Sequence, residues 1–315
     1  MSLDTIADVA PPAERFRADL IRHGHLLPTG VDGLYGRGEA FETVVAAVDT
    51  LVGRLAEGDK VEVLRFPPAM SRAGFEASGY FRNFPHLSAA ISCFCGDDAA
   101  HRQALACTPE EGGWASRLTP ADVVLTPASC YPVYPIVAAR GKLPEDGWLV
   151  DSSSYCFRRE PSLDPVRMQM FRQREQVCFG SPDRIRAFQS RWMDRAMRMF
   201  AALGLQATTD IANDPFFGRA APLMSNGQRS QRLKFEILVP ISDPDRLNAC
   251  GSFNYHVSHF AEAYGIRAAD GSVAHTGCAG FGLERIVLAL MRQHGLDPAG
   301  WPPAIRQLLW PAARP

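Results

Sequence analysis

The sequence lacks the long apolar run that a membrane-spanning helix needs. No window approaches roughly 18 consecutive apolar residues, and the N-terminus MSLDTIADVAPPAERFRADL mixes acids and bases without an apolar core. Neither a membrane partner nor a secretion signal is therefore expected. We expect a cytoplasmic protein, in which the eight cysteines stay reduced instead of forming disulfides.

An excess of charge of one sign is also missing. The chain has 33 Lys and Arg against 34 Asp and Glu, which gives a formal net charge of −1. Proteins that hold nucleic acid along a long footprint usually carry a basic surface, so the totals argue against such a partner. With 315 residues and 46% hydrophobic residues, the chain can bury a sizeable core, and one domain over 1–315 is the simplest interpretation.

Two common site signatures are absent as well. There is no CxxC pair, and the glycine-rich stretch LLPTGVDGLYGRG has no GK[ST] sequence of a phosphate-binding loop. Cys93 and Cys95 are separated by one residue, a spacing that favours two cysteines on the buried face of a strand. Metal binding by this pair is the weaker alternative.

The elements that are present favour an antiparallel sheet. Apolar residues at helical spacing predict a helix over residues 39–55, and a second helix is predicted over about 182–203, between Pro182 and Gly204. Strand-like runs such as VEVLRFPP, WLVDSSSYCFRRE and RLKFEILVPI are separated mainly by loops. This pattern predicts an α+β fold, an antiparallel sheet flanked by helices.

The stretch YCFRRE places Arg158 and Glu160 two residues apart at the end of a predicted strand, so their side chains are expected on one face. The next strand would return Phe171 beside them. A flat ring next to a guanidinium could bind a nucleotide, because the ring can stack on a purine and the guanidinium can pair with its phosphate. The alternatives are a surface ion pair and a core phenylalanine.

The stretch GFGLER combines a glycine-rich turn with the start of the last long helix. Gly280 and Gly282 allow another group to approach the backbone closely. Glu284 and Arg285 then fall in the first helical turn. A helix N-terminus with an arginine favours an anion such as phosphate.

The order and spacing of these stretches resemble the second and third signature motifs of class II aminoacyl-tRNA synthetases. Helix 39–55 and its following strand resemble the first motif, which in that class builds the dimer interface. Within the class, SYCFRRE, FRQREQV, FEILVP and LNACGSF are similar to stretches of seryl-tRNA synthetases. VLTPASCYP lies over the loop that gives a glutamate to the substrate in the common seryl enzymes, and Cys130 takes that position here.

Cys130, Glu175 and Cys278 resemble the ligand set of the atypical, zinc-dependent seryl-tRNA synthetases. That resemblance implies one zinc ion per subunit, with a fourth position open for the α-amino group of the substrate amino acid. Glu175 and zinc would then bind the amino acid together. The alternative is two ordinary buried thiols and a salt-bridge carboxylate.

Three histidines lie near these residues in sequence and are expected in the core or around the site: His256, His259 and His275.

The resemblance also implies an ATP site. Arg158 would hold the α-phosphate and Arg285 the γ-phosphate, which makes these two the catalytic residues. Glu160 would accept from the adenine amino group, and Phe171 would stack on the ring. The remaining residues implied for nucleotide binding are Arg167, Met168, Glu236, Ala249, Cys250, Gly251 and Ser252.

Magnesium is expected with ATP, but its ligands stay open. The magnesium glutamate of the seryl enzymes falls near Arg246 in this chain. Glu236, Asp243 and Asp245 are the candidates to replace it.

The shortness of the chain decides between acceptors. The synthetase-like core begins after about 30 residues, so no tRNA-binding domain is expected, and the near-neutral charge agrees. The combination resembles the bacterial amino acid:[carrier protein] ligases, homodimeric synthetase homologues. It implies ATP-dependent activation of glycine or alanine and transfer as a thioester to the phosphopantetheine arm of a small acidic carrier protein.

Two alternatives to this function remain: a seryl-type tRNA ligase, and a non-catalytic regulatory paralogue. The presence of Arg158, Glu160 and Arg285 argues against the paralogue, because a protein that only senses ligands would not require all three.

The helix predicted over 182–203 has no obvious counterpart in the seryl enzymes. It is either an amphipathic helix with a solvated basic face or a docking surface for the acidic carrier. Its arginines are Arg184, Arg186, Arg191, Arg195 and Arg198.

Overall fold

A computed structural model describes residues 11–215, 217 and 221–311 of the chain. The helices are α1 (Pro12–Arg22), α2 (Glu39–Arg54), α3 (Arg72–Ala77), α4 (Tyr80–Asn83), α5 (Asp98–Ala106), α6 (Val133–Ala139), α7 (Pro182–Ala202), α8 (Ala221–Ser230), α9 (His259–Tyr264), α10 (Leu283–His294) and α11 (Pro303–Leu309). The strands are β1 (Leu26–Pro28), β2 (Tyr35–Arg37), β3 (Glu62–Arg65), β4 (Ala69–Ser71), β5 (Ala90–Cys93), β6 (Thr119–Leu125), β7 (Trp148–Phe157), β8 (Met170–Gly180), β9 (Thr208–Ile211), β10 (Lys234–Pro240), β11 (Leu247–Val257) and β12 (His275–Gly282).

The centre of the fold is a mixed sheet with the strand order β3-β7-β8-β12-β11-β10-β9 among the described residues. Its neighbours pair antiparallel, except that β3 runs parallel to β7 at one edge. A smaller sheet has the order β4-β6-β5, and β1 pairs with β2. The predicted α+β fold, an antiparallel sheet with flanking helices, is confirmed.

Helices α2, α7 and α10 cover one face of the central sheet. Their apolar side chains form one large buried cluster with the sheet, in which Phe41, Trp192 and Phe281 are among the largest members. A second buried cluster contains Tyr134, Phe179 and Cys278. The central strands are thus packed on both faces of the sheet. Close packing holds the side chains of these strands in fixed positions.

Glu284 joins three elements of the fold. This carboxylate is buried and accepts hydrogen bonds from the backbone N and the Nε of Arg172, at 2.7 and 2.8 Å. Arg172 also forms a two-point ion pair with Glu42 of α2. The first turn of α10 is therefore tied to β8 and, through Arg172, to α2.

Three local predictions are wrong. Strand β7 ends at Phe157, so Arg158 and Glu160 lie in the loop after the strand and not on a shared strand face. Gly280 and Gly282 belong to strand β12, where a turn was predicted.

The third error concerns the pair of cysteines near β5. Cys93 and Cys95 are both exposed, whereas a buried strand face was predicted for them. Alternation along a strand does not by itself say that either face is covered.

Helix α7 forms where it was predicted, but its basic residues are not one free surface. Arg195 forms a two-point hydrogen-bonded pair with Asp59, and Arg186 lies over the Tyr255 ring. Arg191 and Arg198 remain exposed, although Arg191 also lies within ion-pair distance of Asp59, at 3.9 Å.

Across the residues that the structure describes, no helix is both long enough and apolar enough to cross a membrane.

Candidate active site

A cavity of about 550 Å³ lies beside the β7–β8 hairpin, strands β11 and β12, and the first turn of α10. It brings together most of the residues that the sequence singled out. Those on its wall are Cys130, Arg158, Glu160, Met168, Phe171, Glu175, Glu236, Ala249, Cys250, Gly251, Ser252, His256, His259, Cys278, Gly280, Gly282, Glu284 and Arg285.

Three predicted candidates lie outside that lining. Arg167 lies within ion-pair distance of Glu160, 3.8 Å between Nη1 and Oε1. Asp243 and Asp245 are neighbours in a turn, where the Asp243 carboxylate accepts from the backbone N–H of Asp245.

The cavity wall includes a buried cluster of side chains that could hold a metal ion. The ligand atoms of Cys130, Glu175 and Cys278 lie within 4.8 Å of one another. Sheet pairing explains two of the three positions. Glu175 is opposite Gly280 and Val177 is opposite Cys278, so Glu175 and Cys278 are diagonal neighbours on one face. Cys130 arrives from the loop that follows β6.

The Glu175 carboxylate is held in a fixed orientation. Its Oε2 atom accepts from the backbone N–H of Cys130 at 2.7 Å and from the Ser129 hydroxyl at 2.9 Å. A Cβ atom added to Gly280 would lie 3.0 Å from the Oε1 atom. Any side chain at position 280 would therefore press on the Glu175 carboxylate and move it from its present place.

The cluster is electrostatically suited to a cation. Hydrogen bonding with Cys278, burial and the charge of Glu175 raise the pKa of Cys130 well above its usual value. A bound cation would relieve this crowding of anionic donors. Two sulfurs and one carboxylate are a donor set that zinc accepts, and three protein ligands leave a position open. The residues present therefore fit a zinc ion.

The cavity wall also carries two arginines, Arg158 and Arg285, that have no carboxylate partner among the described residues. Arg158 donates from Nε to the carbonyl of Pro127 at 3.0 Å, and its guanidinium lies over the Phe171 ring, 5.4 Å from the centroid. Arg285 donates to the carbonyls of Val166 and Ala249, both at 2.9 Å. Among the described residues, neither guanidinium is in a salt bridge with an acidic side chain. Two such cations facing one cavity form a site for a polyanion.

The pKa of Arg285 is lowered in this arrangement. Burial lowers it, and the positive charge of Arg158 acts in the same direction. An anion placed between the two guanidinium groups would offset both effects.

Comparison with known proteins agrees with this geometry. The family model of the tRNA synthetase class II core domain (G, H, P, S and T) matches residues 118–294, more than half of the chain. Amino acid–[acyl-carrier-protein] ligase 1 of Bradyrhizobium diazoefficiens is 43% identical over 311 residues, which covers 98% of this chain and 93% of the relative. Ligase 2 of the same organism is 45% identical over 304 residues, covering 95% and 89%.

The chain belongs to the amino acid–[acyl-carrier-protein] ligase family of class II synthetase homologues. It is an enzyme of the ligase class, as the sequence resemblance predicted. Among solved structures, an M. kandleri seryl-tRNA synthetase in complex with A. aeolicus tRNASec matches with a TM-score of 0.79 at 20% identity, over 93% of this chain and 60% of that one. At that identity the likeness concerns the fold alone.

A charged group on the cavity wall of this ligase was not singled out from the sequence. The ammonium of Lys234 lies 2.6 Å from an oxygen of Asp214 and 3.0 Å from an oxygen of Glu236. Burial opposes the charge on Lys234, but the two carboxylates together raise its pKa. Lys234 and Glu236 are two residues apart on β10, so their side chains lie on the same face. The sequence could therefore have indicated that pair. Asp214 approaches from a distant segment, for which there was no signal.

This group bears on the expected magnesium site. Glu236 was one of three candidate ligands, and it shares the single ammonium of Lys234 with Asp214, so two carboxylates face one positive charge. The assignment of magnesium ligands in the ligase stays a prediction.

The three histidines have different surroundings. His259 contacts the carbonyl of Ser78 at 3.0 Å, and His275 contacts the Tyr255 hydroxyl. His256 lies 3.6 Å from the Cys278 sulfur, and burial lowers its pKa to about 3. Among these histidines, only His256 contacts a residue of the cysteine–glutamate cluster in the described part of the chain.

Replacing Gly280 with alanine should weaken metal binding by about tenfold or more, since groups that orient metal ligands contribute on this scale. The new methyl group would displace the Glu175 carboxylate. Zinc affinity measured by chelator competition tests this expectation. Gly282→Ala is the matched control, because its Cβ would meet its nearest neighbour, the Cβ of Arg285, at an ordinary 3.9 Å. Equal affinity in both variants would contradict the assigned role of Gly280.

Proposed function

We propose that the chain activates a small amino acid, glycine or alanine, with ATP and transfers it as a thioester to the phosphopantetheine arm of a carrier protein. The observation that carries the proposal is one cavity lined both by a three-donor cluster that could hold a metal ion and by two arginines without a salt-bridge partner among the described residues. An α-amino group and a triphosphate placed in these two sites would bring the amino-acid carboxylate to the α-phosphate. The names of the two Bradyrhizobium relatives support a carrier protein as the acceptor.

The substrate amino acid would be held at the cluster of Cys130, Glu175 and Cys278. Zinc held there would supply a Lewis acid that keeps the α-amino group of the substrate as its free base. The hydrogen bonds to Glu175 from Cys130 and Ser129 fix the carboxylate, and therefore the direction from which the amino acid is held. Fixed orientation of this kind lowers the entropy cost of the reaction.

In the adenylation step, Arg158 and Arg285 would bind the phosphates of ATP. A carboxylate oxygen of the amino acid attacks the α-phosphorus of ATP, the bond to the bridging oxygen breaks, and pyrophosphate leaves. Arg158 holds the α-phosphate and offsets the charge that develops on its oxygens. Arg285 holds the γ-phosphate and keeps the nucleotide bent. Magnesium accompanies ATP.

The base of ATP would lie against the Phe171 ring, with Glu160 accepting from the adenine amino group. The remaining contacts are assigned to Arg167 at the rim and, on the wall, to Met168, Glu236, Ala249, Cys250, Gly251 and Ser252. Glu236 shares the ammonium of Lys234 with Asp214, so its negative charge in the cavity wall is only partly offset.

In the transfer step, the thiol of the carrier attacks the carbonyl carbon of the adenylate and AMP leaves. No cysteine of the enzyme is needed as a nucleophile. Burial raises the pKa of Cys156 well above its usual value and that of Cys250 to about 12, so neither buried thiol is a ready thiolate. This supports direct transfer to the carrier.

A carrier protein is proposed in preference to tRNA, with residues 1–315 acting as one catalytic domain. The formal net charge of −1 supports this choice, because tRNA binding over a long footprint favours a basic surface. We also propose a homodimer. Strand β3 lies at the outer edge of the central sheet, and its Val63 is 60% exposed, which supports pairing through that edge.

The acceptor is tested by incubating the zinc-loaded enzyme with ATP and labelled glycine or alanine, together with phosphopantetheinylated carrier, carrier without the arm, or tRNA. The proposal predicts label only on the phosphopantetheinylated carrier, released by hydroxylamine as expected for a thioester. Label on tRNA alone would support the seryl-type alternative. Binding of ATP and amino acid without any product would support the regulatory paralogue.

Reversing two exposed charges on α7 should weaken the carrier interaction. With Arg191→Glu and Arg198→Glu together, we expect the KM for an acidic carrier to rise about tenfold, because like charges would oppose docking. Amino-acid-dependent ATP–pyrophosphate exchange should not change. Arg22→Glu is a matched control, because that arginine is exposed on α1 with a local partner only. An unchanged KM in the double variant would remove α7 as the docking surface.

A further inference from the structure

The Cys278 sulfur is contacted from strand β11 by two nitrogen-bearing side chains. Asn254 is opposite Cys278 in the sheet, and its Nδ2 atom donates to the sulfur at 3.3 Å. The Nε2 atom of His256 lies 3.6 Å from the same sulfur. Within the described residues, no ring or amide N–H makes a comparable hydrogen bond to the Cys130 sulfur. The two thiols of the cluster are therefore in different surroundings.

The His256 ring is held from its other side. Its Nδ1 atom lies 3.4 Å from the Tyr134 hydroxyl and 3.2 Å from the Thr276 hydroxyl. The ring also packs edge-on against Phe260, with the centroids 4.9 Å apart. These contacts fix the direction in which Nε2 points, toward Cys278.

The contacts also select one tautomer when Cys278 binds a metal. A metal-bound sulfur has no proton and can only accept a hydrogen bond, so the proton must be on Nε2 of His256. The Nδ1 lone pair then accepts from the hydroxyl of Tyr134 or Thr276. Every polar atom of the ring has a partner in that arrangement, as a buried imidazole requires.

The negative charge of the cluster explains why N–H groups directed at one of its sulfurs would be stabilising. Two thiolates and one carboxylate carry a formal charge of −3, which exceeds the +2 of a divalent cation in a site where all three donor residues are buried. N–H groups directed at one sulfur stabilise that excess charge and orient the ligand at the same time.

We propose that His256, assisted by Asn254, is a positioning residue for the metal site: its Nε2–H group donates to the Cys278 thiolate, orients it and lowers its electron donation to the ion. The inference rests on the metal assignment made in the proposed function. His256 contacts neither substrate nor metal in this role.

The test compares His256→Phe with the wild type in metal binding and in a spectrum that reports on the sulfur. The phenylalanine keeps a flat ring but removes the N–H group. We expect zinc affinity, measured by chelator competition, to fall about 10- to 100-fold. In the cobalt-substituted protein, the sulfur-to-cobalt charge-transfer band should move to lower energy, because the sulfur has become more electron-rich.

Three further variants separate this role from simple packing. His256→Gln can present an amide N–H near the same place and should restore most of the affinity and the band position. Asn254→Ala should shift the band in the same direction as His256→Phe, and it keeps the test usable if the phenylalanine variant does not fold. His259→Phe is the control, because His259 contacts the Ser78 carbonyl and no sulfur, and its affinity and spectrum should match the wild type.

The outcomes distinguish this inference from the proposed function. If the wild type binds one ion, but affinity and band stay unchanged in both His256→Phe and Asn254→Ala, the role of His256 is overturned while the metal site stands. If the wild type binds no zinc or cobalt at all, the metal assignment falls and this inference falls with it.

Discussion

Replacing Cys130 with alanine removes stoichiometric zinc and, with it, amino-acid-dependent ATP–pyrophosphate exchange. The cluster has three protein donors, and losing one leaves two. Structural zinc sites with four ligands have apparent binding free energies of roughly 10–16 kcal/mol, so one ligand is worth about 10²- to 10³-fold in affinity. Metal content by mass spectrometry and pyrophosphate exchange on the same sample measure both effects.

Cys156→Ala is the matched control for this prediction. Cys156 is another fully buried thiol on the neighbouring strand β7, but it does not belong to the donor cluster. Its substitution should leave zinc content unchanged, while the small cavity left by the missing sulfur should lower the thermal stability. A Cys130→Ala protein that retains one zinc per chain would show that Cys130 is not a ligand.

Replacing Arg285 with alanine should lower kcat/KM for pyrophosphate exchange by about 10²- to 10³-fold, or roughly 2.7–4 kcal/mol. This is the usual loss when one group that stabilises transition-state charge is removed. The guanidinium is held by two backbone carbonyls and has no acidic partner among the described residues, so it is already oriented for phosphate. Kinetics at varied ATP concentration measure the effect.

Arg292→Ala, later in the same helix, is the control for Arg285. That side chain lies over the Phe16 ring, away from the cavity, and its removal should leave exchange within about twofold of the wild type. Arg285→Lys should recover only part of the activity, because a point charge cannot reproduce the planar contacts of the guanidinium. A loss below about threefold in Arg285→Ala would contradict its assignment to the γ-phosphate.

The α+β fold could be predicted from the sequence because its signals are local and agree with one another. The helical spacing over residues 39–55 reproduces α2 to within one residue. The two strands around the turn at Asp164-Pro165 form the β7–β8 hairpin. That pairing brings Phe171 under the Arg158 guanidinium, as the order of the stretches indicated.

The errors concern features that depend on distant neighbours. Gly280 resembles a turn glycine in sequence, but its lack of a side chain makes room for the Glu175 carboxylate on the adjacent strand. Arg158 and Glu160 follow the strand directly, and only the end of the pairing with β8 reveals that they belong to a loop. The exposure of Cys93 and Cys95 likewise depends on what packs over β5.

Some of the candidate site had no sequence signal at all. The partnership of Asp214 with Lys234 joins two segments that no local pattern relates. The contact between His256 and Cys278 depends on the register of β11 and β12, which includes an irregularity between Tyr255 and Val257. The metal cluster itself was found by resemblance, and its closeness in space required the fold.

The most direct measurement is amino-acid-dependent ATP–pyrophosphate exchange on zinc-loaded enzyme, compared across glycine, alanine and serine. A ligase that activates a small amino acid in this cavity is predicted to give exchange with glycine or alanine, and to lose it when zinc is removed. Exchange with serine alone, or no exchange with any of the three despite bound zinc, would contradict the proposed function.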